Sequence, residues 1–173
     1  MTIAGNVGGQ AADTRREDRA AASGGPGVTA LTTQVYSVFI RATPEQVWGA
    51  ITQPEWTARY FYGARIEVGP EWRKVYSPDG GDDWGSTSVQ EFEPPRRLVH
   101  EWKSSYNPEL AAEEPSRVTW EIEQQEDGTT LLTVVHDQLE GAPKTAESVS
   151  GTGWMYVLSG LKTLLETGEP LAG

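Results

Sequence analysis

The chain has 173 residues, with 14 Lys and Arg against 25 Asp and Glu, a formal net charge of −11 and no cysteine. The missing thiols rule out disulfides and thiolate metal sites, and the acidity repels nucleic-acid backbones and anionic membranes. At 37% hydrophobic and 23% charged residues the composition suits one soluble globular domain, and no apolar run approaches the roughly 20 residues that span a bilayer.

Residues 1–30 hold three basic and three acidic side chains, so the whole −11 belongs to residues 31–173. The segment is rich in Gly and Ala, and "AAASGGPG" (Ala20 to Gly27) has the composition of a flexible linker. A disordered tail over 1–30 is expected, followed by one domain over 31–173. The opening "MTIAGNVGGQAADTRRED" lacks the charged start and apolar run of a secretory signal. With the absence of cysteine, this fits a cytoplasmic protein.

Thr33 to Ala42, "TQVYSVFIRA", alternates as a strand with apolar residues in both phases, which predicts cover on both sides near its middle. "TPEQVWGAI" then starts a helix: Thr43 suits the N-cap, Pro44 the first helical position, and Thr43 with Gln46 matches the capping-box spacing. A second short helix is expected within Thr52–Gly63, started at Pro54 and stopped by Gly63. The next predicted strands are "ARIEV", "EWRKVYS", Ser86 to Glu93 and Arg97 to Lys103, with "PDGGDDWG" as an acidic turn. "SYNPELAAEEPS" reads as a loop. "RVTWEIEQ" and "TTLLTVVHD" flank the turn "QEDG" as a hairpin. A long helix is expected from about Ala146 to Thr167. This order gives an α+β fold, with helices segregated from an antiparallel sheet of six to seven strands.

Alternation assigns directions within the strands. Leu98, His100 and Trp102 share one phase, as do Val118, Trp120 and Ile122, and Leu132, Val134 and His136. Both histidines of the chain thus fall on the inner phase of neighbouring strands. In the last helix Trp154, Val157, Leu158, Leu161, Leu164 and Leu165 recur at helical spacing. Gly151 and Gly153 either loosen the start of that helix as a mobile lid or mark a late start.

"VFIRATPEQVWGAITQPEWTARYFYG", "EFEPPRRLVHEW" and "GWMYVLSGLKTLLETGE", in that order, resemble the START-like SRPBCC superfamily. They are most similar to the bacterial branch named after the activator of heat-shock-protein-ninety ATPase homologue. The resemblance covers about residues 33–170. It implies a helix-grip fold, in which a curved antiparallel sheet wraps a long C-terminal helix and a hydrophobic ligand often sits between them. Lipid carriers, polyketide cyclases and stress proteins all share that family name, so the resemblance leaves function open.

The candidate ligand-binding residues are Trp72, Tyr76, His100, Trp102, Trp120, His136, Trp154 and Leu158. Together they make aromatic walls with two polar handles, as a small-molecule pocket requires. The favoured reading of His100 and His136 is nonetheless that of ordinary core histidines, each satisfied by a hydroxyl or carbonyl. Trp72 and Tyr76 are expected near the pocket mouth, and Trp84, beside "GGDD", is read as packing.

The expected partner is a small apolar or aromatic molecule, held by a monomer or homodimer, with no nucleic acid, membrane span or cofactor. No Walker A, G-x-G-x-x-G or G-x-S-x-G pattern occurs, and two histidines without cysteine make a poor metal set. Two rival functions remain. One is a cavity enzyme of the polyketide cyclase or hydratase type, using His100 with a Tyr or an acid. The other is a chaperone-ATPase co-regulator, working through its surface.

Overall fold

The structure is a computed structural model that describes residues 31–172. The tail expected over residues 1–30 lies outside the described residues. Seven strands and five helices follow in the order β1 (Gln34–Ile40), α1 (Pro44–Thr52), α2 (Pro54–Thr57), β2 (Arg65–Val68), β3 (Trp72–Tyr76), β4 (Asp83–Glu93), β5 (Arg97–Trp102), α3 (Pro108–Ala111), β6 (Ser116–Gln124), β7 (Thr130–Asp137), α4 (Pro143–Val149) and α5 (Thr152–Thr167). The strands form one antiparallel sheet in the order β1-β7-β6-β5-β4-β3-β2. From β2 to β7 each strand pairs with the next in sequence, and β1 adds beside β7. The two ends of the sheet are bridged by α1 and α2, and α5 lies across the inner face. This is the helix-grip arrangement of the α+β class.

Local chemistry explains most of the elements. Thr43 Oγ1 accepts from Gln46 N at 3.2 Å while Gln46 Oε1 accepts from Thr43 N at 2.9 Å, the reciprocal capping box that the T-x-x-Q spacing predicts. Val47, Ala50 and Ile51 make the buried stripe of α1. On β7 the buried residues are Thr130, Leu132, Val134 and His136, a strict alternation. The main core joins these strands to α5 through Leu98, Val118, Trp120, Leu132, Val134, Trp154, Val157, Leu158, Leu161 and Leu164. Acidic residues cluster on the outer face, where Arg97 pairs with Glu91 and Glu121, and Arg117 grips Asp137 with two bonds at 2.9 and 2.5 Å.

Five expectations need correction. The predicted helix from Ala146 to Thr167 is two helices, because the chain turns at Ser150–Gly151, where Gly151 takes φ +58°. The helix expected within Thr52–Gly63 is a single turn, Pro54–Thr57. Strand β4 begins at Asp83, inside the predicted acidic turn, and the loop "SYNPELAAEEPS" contains α3. On β1 the outer phase is uncovered: Val35 is 60% and Phe39 57% exposed, since β1 is an edge strand with no layer behind it.

Candidate functional site

A cavity of about 410 Å³ lies between the inner face of the β2–β5 end of the sheet and the start of α5. Its walls are largely apolar: Ala64, Ile66 and Val75 from the strand side, Val149 and Val157 from the helices, and the rings of Phe61, Trp84, Trp102 and Trp154. Tyr62 and Tyr106, 61% and 58% exposed, stand at the mouth. Trp102, Trp154 and Phe61 form an aromatic corner: Trp102 lies 5.6 Å from Trp154, and Phe61 is 6.1 Å from each. Trp102 is steadied by its indole N–H, which donates to Ser104 Oγ at 3.1 Å.

Behind this corner sit the two histidines, both fully buried. The register places His100, Val118 and His136 in one row across β5, β6 and β7. Each imidazole is held by a diagonal neighbour on the adjoining strand and by a backbone carbonyl or a Trp of α5. Trp120 Nε1 donates to His100 Nε2 at 3.0 Å, so His100 carries its proton on Nδ1 and donates to Glu101 O at 2.9 Å. Trp154 Nε1 donates to His136 Nδ1 at 3.1 Å, so His136 is the Nε2–H tautomer and donates to Ser116 Oγ at 2.8 Å. All four ring nitrogens are thereby engaged, and neither ring lines the cavity. Burial first, then the nearby Arg73 charge, hold His100 well below the usual imidazole range. Burial lowers His136 to about 4, with Asp137 pulling it up and Arg73 pushing it down.

Arg73 is the most unusual group in the wall. It sits on β3, is only 5% exposed, and lines the cavity. Its guanidinium lies over the Trp102 ring at 4.9 Å from the centroid. Among the described residues its side chain forms no ion pair and no hydrogen bond. Burial lowers it to about 10, partly offset by Tyr60, so it remains a cation at neutral pH. Directly opposite on β4 is Thr87, whose buried Oγ1 also lacks a hydrogen-bond partner among the described residues. Opposed residues of an antiparallel pair project to the same face, so Thr87 and Arg73 are neighbours on it.

The structure thus brings two of the eight sequence candidates, Trp102 and Trp154, to the cavity surface. His100, His136 and Trp120 form the layer behind, and Leu158 packs within the core. Trp72 and Tyr76 do not reach the cavity, because alternation on β3 gives that face to Arg73 and Val75. Trp72 instead lies against Gly69, where an added Cβ would come within 3.0 Å of the indole, and beneath Lys74 Nζ at 4.6 Å. Trp84, read from sequence as mere packing, lines the pocket. Sequence reasoning also missed Arg73, Val75 and the Ser104–Tyr106 loop. The alternation of "WRKVY" carried the signal for Arg73 and Val75, but its two aromatics drew attention to the wrong phase. Among the described residues no three His, Asp or Glu side chains converge as metal ligands, and no helix is long and apolar enough to cross a membrane.

A seven-stranded antiparallel sheet gripping a C-terminal helix over a partly apolar pocket defines a START-like domain of the SRPBCC superfamily. Within it, the chain belongs to the family described as activator of Hsp90 ATPase homolog 1-like proteins, whose profile matches residues 41–166. Solved structures with the same fold include CalU16 from Micromonospora echinospora, at 23% identity and TM-score 0.60, over 81% of this chain and 77% of that one. An HSP90 activator from Plasmodium falciparum, PFC0360w, is 20% identical at TM-score 0.61, over 81% of this chain and 99% of its own. MLL2253 from Mesorhizobium loti is 22% identical at TM-score 0.60, over 78% and 96%. A comparison with curated proteins gave no match.

Proposed function

We propose that the protein binds a small, predominantly apolar molecule with an aromatic body in the cavity between β2–β5 and α5. The observation that carries this reading is the cavity itself, about 410 Å³ with rings of Phe61, Trp84, Trp102 and Trp154 on its walls. That volume falls in the range of roughly 300–1,000 Å³ typical of small-molecule sites. A sequence selected only for packing would fill such space, since protein interiors are close-packed and voids are costly. The family and its cavity-forming fold support the same reading. The two histidines act as scaffold: their nitrogens are committed to Trp120, Trp154, Ser116 and Glu101, which leaves no free base there for a cyclase-type reaction.

Native mass spectrometry of the purified chain, followed by extraction, tests this. A stoichiometric apolar passenger is expected, or, in the empty protein, enhanced fluorescence of the neutral probe 1-aminoanthracene. Val75→Trp places an indole in the cavity and abolishes the enhancement. No passenger, together with probe fluorescence that is absent or indifferent to Val75→Trp, would overturn the proposal.

A further inference from the structure

We infer that the ligand is an anion, an aryl carboxylate whose carboxyl group pairs with Arg73 and whose ring lies among Phe61, Trp102 and Trp154. This rests on the pocket proposed above and names the chemistry of its occupant.

Charged side chains are almost never fully buried unless paired. Arg73 is 95% buried, faces the cavity, and has no anionic or hydrogen-bonding partner among the described residues. Desolvating a guanidinium without a partner is unfavourable, and Trp102 offers only the face of its ring in return. The missing partner is therefore external. A carboxylate suits it best, because the planar guanidinium fork donates two parallel N–H···O bonds to the two oxygens of one carboxylate.

Charge points the same way. The chain carries −11 overall, yet the charged groups lining the cavity are Arg73 and, at its exposed lip, Lys103. No Asp or Glu is among the lining residues. An acidic protein that keeps every carboxylate out of one pocket and places cations in it has made that pocket locally attractive to anions. The aromatic corner then favours a flat ring over a flexible chain, through offset and edge contacts with the bound body.

The test uses the full chain and two probes of nearly equal shape, 2-naphthoate and its neutral counterpart 2-naphthylmethanol, titrated at pH 7.5 with Trp fluorescence and calorimetry. The wild type should bind the acid at least ten-fold more tightly. Arg73→Met should bring the acid to within about two-fold of the alcohol, with a Tm equal to or above wild type, because a buried unpaired charge has been replaced by an apolar side chain of similar length. Arg73→Lys should restore part of the acid preference, since it returns the charge without the fork. Equal binding of acid and alcohol by the wild type overturns the anion inference and leaves the pocket reading standing, and this outcome needs no variant to fold. Acid preference that persists in Arg73→Met overturns the assignment to Arg73. Binding of neither probe at millimolar concentration overturns the pocket and this inference together.

Discussion

Lowering the pH from 7.5 to 5 should remove about 4 kcal/mol of folding stability through His100 and His136 alone. Both imidazoles are neutral in the fold because burial disfavours their charged form and the Arg73 charge adds to it, and each accepts a hydrogen bond from an indole N–H. Unfolding exposes them, and their pKa returns to about 6.5. Below that value the unfolded chain binds protons that the folded chain refuses, so stability is fully present above about pH 7 and falls as the pH drops toward 4, where His136 titrates in the fold. At pH 5 a histidine that stays neutral in the native state costs about 2 kcal/mol relative to pH 7.5, and the chain has two. That is a large share of the roughly 5–15 kcal/mol that holds a domain together. The window is clean because free carboxylates titrate near 4, and Asp79, Glu113, Asp127 and Glu166 are held lower still by their hydrogen bonds. Urea unfolding followed by Trp fluorescence at half-unit pH steps measures the effect. His136→Gln, which can still accept from Trp154 and donate to Ser116, should remove about half of the pH dependence. A total change below about 1 kcal/mol, or one unaltered in His136→Gln, would refute the assignment of neutral, indole-bonded histidines.

Other outcomes follow from the same geometry. Trp154→Phe keeps most of the ring contacts but leaves His136 Nδ1 without its donor, and should cost about 1–3 kcal/mol in denaturant unfolding. Thr43→Ala breaks the capping box at the start of α1 and should cost about 1 kcal/mol. Glu113 caps α4 from a distance, accepting from Lys144 N and Thr145 N at 2.8 Å each. Burial pushes its carboxyl up, but these bonds and the Thr145 hydroxyl outweigh that and hold it below the ordinary range. Glu113→Ala should therefore speed amide exchange along α4, which carries Val149 into the cavity wall, while exchange in β6 and β7 stays unchanged. A β-branched residue at Gly160 should destabilise markedly, because even a Cβ there sits 3.1 Å from Tyr60 Cβ.

Where one periodicity dominated, the sequence was a good guide to the structure. On β5, β6 and β7 the apolar phase is unambiguous, so His100, Trp102, Trp120 and His136 were correctly set on the inner face. On β3 the two phases compete: Trp72 and Tyr76 supply aromatic bulk to one, Arg73 and Val75 supply a cation and one valine to the other. Bulk alone chose wrongly, because near a sheet edge large rings also cover the outside, as Trp72 does over Gly69. Trp84 belongs to the pocket only because β4 starts earlier than its Gly- and Asp-rich sequence suggests, and Gly85, at φ +119°, carries the chain through that irregular stretch. The break between α4 and α5 was written in Ser150-Gly151-Thr152-Gly153, and Gly153 lets α5 begin against Ser148 O, which an added Cβ would approach to 2.9 Å. Hydrogen-bond partners of the histidines were beyond reach from spacing alone, since they come from a neighbouring strand and from a helix near the far end of the chain.

The cation and the aromatic corner ride on different parts of the sheet. Arg73 belongs to the short β2–β3 hairpin at one margin, whereas Trp102 and Trp154 are anchored in the central strands and α5, tied there by Ser104 and His136. If the pocket works as proposed, head-group choice and body choice are set by different parts of the sheet. Under the binding mode proposed above, exchange of a single marginal hairpin would rewrite the polar end of the pocket, and the one ring it touches directly through Arg73 is Trp102. On that reading, a local change at the sheet margin would alter the ligand while the buried histidine layer stays as it is.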